Sequence, residues 1–241
     1  MIILDEIVKN KAKELASIKS NKDLFKKIFT KKDAQIIWEI KLKSPSISNL
    51  AQDKNIDTIL DFYWNNPKIK AVSNLVDKKY FNWDINRWTI FKKRYKKPIF
   101  FKEFVIDKNQ IDWASYFWYD ALLLIKRILK KSDLINLINY TQEKNIFPIV
   151  EIDNEKDLKE IIKLSDSLDF WIAINSRNLW NMQIDNNSHI NLQEKYKYSL
   201  ANKLLFAFSW ITNLQDIEKY KHKFNWVLIW TYFMKKLSKK E

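Results

Sequence analysis

Glycine and cysteine are both absent from this chain of 241 residues. The lack of cysteine excludes disulfides, thiol nucleophiles and thiolate metal ligands, and by itself assigns no compartment. The lack of glycine is harder to reconcile with a folded chain. At ordinary usage about seventeen would be present, and glycine is the residue that supplies positive φ and lets a backbone approach a ligand closely. Proline is sparse, with four residues, and no Pro-rich or Ser-rich linker divides the chain. One domain over residues 1–241 is therefore expected, with residues 1–30 as a helical extension. No run approaches the roughly 18 apolar residues of a membrane span. The opening MIILDEIVKNKAKELASIKS is charged and amphipathic, without an apolar signal core. A soluble cytoplasmic protein is the expectation.

Tryptophan and positive charge are in excess. There are eleven tryptophans, and 43 basic residues against 29 acidic ones give a formal charge of +14. Such a charge suits nucleic acid or acidic ligands. The lysines are nevertheless scattered, and the abundance of Lys, Asn, Ile and Phe has the look of a compositional bias. A nucleic-acid-binding protein needs its basic residues on one face among exposed aromatics. Here the aromatics read better as core and pocket wall, so neither nucleic acid nor membrane is expected as a partner.

Short, unalternating apolar runs recur at 35–40, 71–75, 98–101, 121–125, 147–152, 170–174, 204–208 and 227–230. Runs of this length suit strands buried on both faces. Charged segments with helical spacing lie between them, for example at 58–63, 85–95, 131–144, 155–164 and 214–221. Strands alternating with helices predict βαβ units in a parallel sheet, and eight units in this length predict an α/β fold closed as a (β/α)8 barrel. Chemistry in such a barrel belongs at the carboxyl ends of the strands. Polar residues stand there: Glu39 and Lys41 on strand one, Lys102 and Glu103 on strand three, and Glu151 on strand five. Asn175, Ser176 and Arg177 end strand six, Ser209 ends strand seven, and Thr231 follows strand eight. A charge in a buried strand is costly unless paired or employed. Lysines and glutamates sharing one mouth can serve as acid and base, and a lysine beside other cations is expected to have a lowered pKa. The two histidines, His189 and His222, fall outside every strand-end motif and are expected at the surface. No cofactor and no metal site is expected.

The motif IIWEIKLKSPS resembles the first strand of indole-3-glycerol phosphate synthases, whose recurring core is Glu-x-Lys-x-x-Ser-Pro-Ser. The likeness continues through KKYFNW, PIFFKEFVID, QID…DALLLI, IVEI, INSRNL, FSW and LIWT, in order along nearly the whole chain. The resemblance implies ring closure of 1-(2-carboxyphenylamino)-1-deoxyribulose 5-phosphate, with loss of CO2 and water, to give indole-3-glycerol phosphate. It also implies roles. Lys102 matches the catalytic acid, Glu151 the general base of the later dehydration, and Glu39 with Lys41 the charged pair that binds substrate and positions the acid. Asn175 matches the group holding a substrate hydroxyl, and Arg177, Ser44 and Ser209 look like parts of the polar shell. Phe81, Phe104, Leu123 and Leu179 match the apolar wall around the aromatic ring. The backbone at 210 and 230, with Thr231, matches the phosphate cradle. The resemblance implies a small phosphorylated substrate, with other tryptophan-pathway enzymes as candidate partners.

Two departures stand out. Where the family carries Glu-Ser-Gly on strand seven, this chain has Phe208-Ser209-Trp210. Moreover, Trp83, Trp118, Trp210 and Trp230 fall on family glycine positions, and Trp38 and Trp226 on small-residue positions. Trp64, Trp88, Trp113, Trp171 and Trp180 have no such match. An indole at 210 or 230 would crowd a phosphate loop that depends on glycine's freedom. Reading UGA as glycine in the source, where the written sequence reads it as tryptophan, accounts for both the missing glycines and the excess tryptophans. A decayed or deliberately glycine-free chain is the competing account. Other phosphate-binding barrels, phosphoribosylanthranilate isomerase and the tryptophan synthase α subunit, lack the Glu-x-Lys-x-x-Ser-Pro-Ser motif, and the isomerase is expected to use a cysteine. A catalytically impaired paralogue is the remaining alternative, because of Phe208.

Overall fold

The computed structural model describes residues 34–41, 56–76, 97–178, 183–185, 187–208, 211, 213–229, 232–233 and 236. The predicted N-terminal extension and the predicted helix at 85–95 lie outside them. Eight parallel strands close on themselves in chain order: β1 (Gln35–Ile40), β2 (Ile69–Leu75), β3 (Ile99–Lys102), β4 (Ala121–Ile125), β5 (Phe147–Ile152), β6 (Trp171–Asn175), β7 (Leu205–Phe208) and β8 (Trp226–Ile229). The ring is sealed by β1 against β8, with Gln35 opposite Trp226 and Trp38 opposite Ile229. This is the (β/α)8 barrel that the alternation predicts.

Alternation of side chains along each strand sorts the apolar residues into two clusters. One lies inside the barrel and includes Ile37, Ala71, Phe100, Leu123, Ile149, Ala173, Phe206, Phe208 and Leu228. The other lies between the strands and the helices and takes the alternate residues, such as Trp38, Val72, Phe101, Leu122, Val150 and Val227. Both faces of every strand are thus covered, which is why the strands read as apolar runs with no period of two.

The described α-helices are α1 (Ile56–Asn65), α2 (Lys108–Tyr116), α3 (Lys131–Glu143), α4 (Glu155–Leu164) and α5 (Ser188–Lys195). Helix α2 starts from a reciprocal capping box between Asp107 and Gln110. Helix α4 starts from Asn154, whose side chain accepts the backbone N–H of Asp157 at 2.9 Å. The segment predicted as a helix at 214–221 is instead a 3-10 helix, Leu214–Tyr220. Its Asn213 cap tightens the entry by accepting the N–H of Gln215. His189 corrects the surface expectation: it is fully buried on α5, with Nε2 3.1 Å from the Tyr220 hydroxyl and its ring stacked on Tyr220. Stacking on Tyr220 and packing near Phe224 bury the ring despite its polarity. His222 is exposed as expected. Among the described residues, no helix is long and apolar enough to cross a membrane.

Candidate active site

Because all eight strands run the same way, their carboxyl ends share one rim, and the charged residues of the interior gather there. Glu39 is the fifth residue of β1, and its carboxylate is 1% exposed. It lies between two ammonium groups, with Oε1 3.1 Å from Nζ of Lys41 and Oε2 2.7 Å from Nζ of Lys102. Lys102 reaches it from the end of β3, two strands away. Glu151, on β5, faces the same interior and accepts a 2.6 Å hydrogen bond from the Asn175 amide at the end of β6. The Asn175 carbonyl in turn accepts the backbone N–H of Arg177 at 2.8 Å, so this amide is oriented from both ends. Beyond it, Arg177 is braced by an antiparallel bridge to Ile184.

The titration of these groups follows from burial set against neighbouring charge. Burial pushes the Glu39 carboxyl up, but Lys102 and Lys41 together outweigh it and hold its pKa at about 2. Burial lowers the Lys41 pKa. Glu39 opposes that shift, and Lys102 and Arg177 reinforce it. For Lys102 burial also pulls downward, yet Glu39 and Glu151 outweigh it and the pKa is raised. This corrects the expectation that the catalytic lysine would be lowered by its cationic neighbours: two carboxylates lie closer to the balance than the cations do. Burial raises the Glu151 pKa, against the pull of Lys102 and Asn175, and Glu39 and Asp153 add to the rise. The rim therefore holds a lysine whose ammonium form is favoured beside a carboxylate that burial makes a stronger base.

Of the other sequence candidates, Leu123 is 1% exposed within the barrel interior, while Phe104 stands just beyond β3, 50% exposed at the rim. Ser44, Phe81, Leu179, Ser209, Trp210, Trp230 and Thr231 lie outside the described residues. Three residues were missed. Asp153 follows Glu151 by two positions and is clamped by Arg127, with Oδ1 2.6 Å from Nη2 and Oδ2 3.0 Å from Nε. The i, i+2 spacing from Glu151 was the available signal for Asp153; Arg127, on the neighbouring strand's exit, gave none. Ser73 pairs in register with Glu39 across β1 and β2, and its buried hydroxyl has no hydrogen-bond partner among the described residues.

The carboxyl rim of a closed parallel (β/α)8 barrel thus gathers a buried cluster of lysines and glutamates. The family model for indole-3-glycerol phosphate synthase matches residues 4–241. An indole-3-glycerol phosphate synthase from Sulfurisphaera tokodaii is 33% identical over 206 residues, covering 85% of this chain and 80% of the relative. A tryptophan biosynthesis protein TrpCF from Buchnera aphidicola subsp. Schizaphis graminum is 34% identical over 183 residues, covering 76% of this chain and 39% of the relative. The chain thus spans well under half the length of that relative, and 52% of a second TrpCF protein, from Buchnera aphidicola subsp. Diuraphis noxia. Among solved structures, the tryptophan synthase α subunit of Campylobacter jejuni superposes with a TM-score of 0.60 at 16% identity, over 88% of this chain and 92% of that one. That likeness shows the fold alone. The chain belongs to the indole-3-glycerol phosphate synthase family.

Proposed function

We propose that this chain catalyses closure of the indole ring: it converts 1-(2-carboxyphenylamino)-1-deoxyribulose 5-phosphate to indole-3-glycerol phosphate, CO2 and water. The observation that carries the reading is Lys102, held in its ammonium form 2.7 Å from Glu39 at the carboxyl rim, with Glu151 fixed by Asn175 across the same interior. Lys41 and Arg177 meet the anionic groups of the substrate. Lys102 gives its proton to the carbonyl oxygen as the aromatic carbon bearing the carboxylate bonds to the carbonyl carbon. The carboxylate then leaves as CO2, and its electron pair restores the aromatic ring. In the last step the new hydroxyl takes a proton from the Lys102 ammonium, recharged from solvent, and departs as water, while Glu151 takes the proton from the carbon next to the ring nitrogen, forming the indole double bond. Every step moves a proton or an electron pair, so the reaction calls for no cofactor. The working place is the cytoplasm, and other enzymes of tryptophan synthesis are the natural partners.

The experiment, made on the protein with glycine at 210 and 230, is single-turnover formation of indole product by Lys102→Met, which keeps the volume and deletes the donor. General acid catalysis contributes about 10²–10⁴-fold, and stabilisation of developing charge adds to it. The expected loss in kcat is about a thousandfold or more, with a small change in substrate affinity. Near-normal turnover would remove the assignment.

We further infer that the native protein carries glycine at most of its tryptophan positions, through UGA read as glycine. Trp118 supports this. The chain leaves α2 through Phe117, after which the N–H of Trp118 bonds the carbonyl of Ser115 and the N–H of Tyr119 bonds that of Ala114. This is the Schellman pattern, whose left-handed residue is usually glycine, and Trp118 occupies it with φ 58°. The same pattern ends α3, where Asn145 takes the left-handed position with φ 60°. Asparagine is the accepted substitute there, whereas an indole is a steric outlier. At 38 the fully buried indole N–H has no acceptor among the described residues. At 171 and 226 the indoles are well packed, so there only the native peptide masses decide. Those masses should show glycine at 83, 118, 210 and 230, and UGG codons at these four positions would overturn the reading. Restoring glycine at 210 and 230 should also recover binding of a phosphorylated substrate analogue by calorimetry. Equal binding by the chain as written would count against this account of the phosphate loops.

A further inference from the structure

Phe208 ends β7, and strand alternation turns it, with Phe206, into the barrel. It is 3% exposed and pairs in register with Asn175 on β6 and Leu228 on β8. Its ring packs on Phe100 at 6.1 Å, and the Lys102 ammonium lies 5.5 Å from its centroid. That distance is within the range over which a ring's negative face attracts a cation. Lys102 is therefore held from two directions by unlike groups: the Glu39 carboxylate, which accepts a hydrogen bond from it, and an aromatic face, which attracts the charge without removing a proton.

We propose that Phe208 is a positioning residue for Lys102: its ring holds the ammonium at the barrel axis while leaving an N–H free to be given to the substrate. The proposal rests on the synthase reading for its kinetic consequence only. The charged groups that face Lys102 among the described residues are Glu39 and Lys41 from β1, Glu151 from β5 and Arg177 beyond β6. Of the interior residues on the other strands, Ser73, Ile125, Phe208 and Leu228 carry no titratable group. Changing the group at 208 therefore changes one contribution against a fixed background of two carboxylates and two cations.

The test uses the full chain with Phe208→Met, Phe208→Leu, Phe208→Tyr and Phe208→Glu. The first readout needs no substrate: the pH dependence of Lys102 acylation, read by peptide mass spectrometry. Losing the ring in the Met and Leu variants should lower the pH of half-labelling by about half a unit. Tyr should restore it, and Glu should raise it. The second readout is the split between kcat and KM for indole formation. Met and Leu should lower kcat by about two- to fivefold at unchanged KM, and Tyr should recover it. Met nearly matches the ring in volume and guards against a folding defect in Leu. Labelling and turnover that are the same in Met, Leu and Tyr would overturn the proposal. If the parent chain with glycine restored at 210 and 230 forms no indole product, the synthase reading fails while the labelling still decides the role of Phe208.

Discussion

Glu39 ties the stability of the barrel to the charge of the two lysines beside it. It is almost completely buried and touches two lysines, so neutralising it leaves two cations facing each other in the barrel. Breaking a buried ion pair from one side costs about 3–5 kcal/mol. Glu39→Gln should therefore destabilise the fold by about that much in urea, and it should also lower the pH at which Lys102 titrates. A variant as stable as the parent would show that the triad is well solvated. Glu151 behaves differently, because its burial raises its pKa and Asn175 restrains the rise. Glu151→Gln should slow the dehydration more than the ring closure. The decarboxylated, still hydroxylated intermediate should then accumulate in a single turnover, detectable by quenching and mass analysis. Loss of ring closure itself would place Glu151 earlier in the reaction. These residues were legible in the sequence because a charge within an apolar strand is costly unless employed. The direction of the Lys102 shift was not legible, since it depends on which neighbours end up nearer across the barrel.

At the scale of the element, the strands could be read because burial on both faces writes an unbroken apolar run. β1, β4 and β5 fall on the predicted residues, and the other five differ by one or two positions at their ends. Helices α2 and α5 fall where the alternation predicts helices, but their residues were not picked out in the sequence. Their segments, KNQIDWASY and SHINLQEK, are polar with few core-facing residues, so the apolar period that marks a helix is weak. The 3-10 geometry at Leu214–Tyr220 was equally hidden, since both helix types share near-threefold spacing. The end of α2 offers a direct test. Left-handed backbone costs a residue with a Cβ about 1–2 kcal/mol, and for a domain of this size each kcal/mol moves the midpoint by about 2–4 °C. Trp118→Gly should raise the melting temperature by several degrees, whereas Asn145→Gly, at the same position of α3, should change it much less. A drop in Tm for Trp118→Gly would mean that packing of the indole outweighs its backbone strain. The exits of β4 and β5 hold a second device, the Arg127–Asp153 clamp. Removing Arg127 leaves the Asp153 charge uncompensated beside Glu151. Arg127→Met should therefore raise the pH of the acid limb of the kcat profile, while Asp153→Asn should lower it.

Across the whole molecule the barrel divides its labour between its two ends. Away from the rim, Phe147, Trp171, Phe206 and Trp226 form a row of rings across β5 to β8, with Phe147 and Trp171 stacked at 4.6 Å. The charged triad occupies the opposite end, so apolar burial secures one end and costly charge is concentrated at the other. That division makes the molecule sensitive to acid, and His189 provides the most specific measure of it. Burial lowers its pKa from 6.5 to about 4, against a weak opposing pull from Asp185. The folded state therefore binds fewer protons than the unfolded state between those values, and stability rises with pH across that window. Stability is thus fully present above about pH 6.5 and is lost as the pH falls towards 4. The loss is about 3 kcal/mol once the ring is protonated in the unfolded chain but not in the native one. Glu39, depressed to about 2, adds its own loss only below about pH 4.5, where protonation of carboxylates also increases the repulsion within a chain that already carries +14. Urea unfolding at pH 7.0, 5.5 and 4.5 separates the two. Between 7.0 and 4.5 the parent should lose stability that His189→Phe does not, because phenylalanine keeps the stack on Tyr220 and Phe224 but cannot titrate. Parallel losses in the two proteins would mean that His189 is open to solvent and that the acid sensitivity in this window comes from other groups.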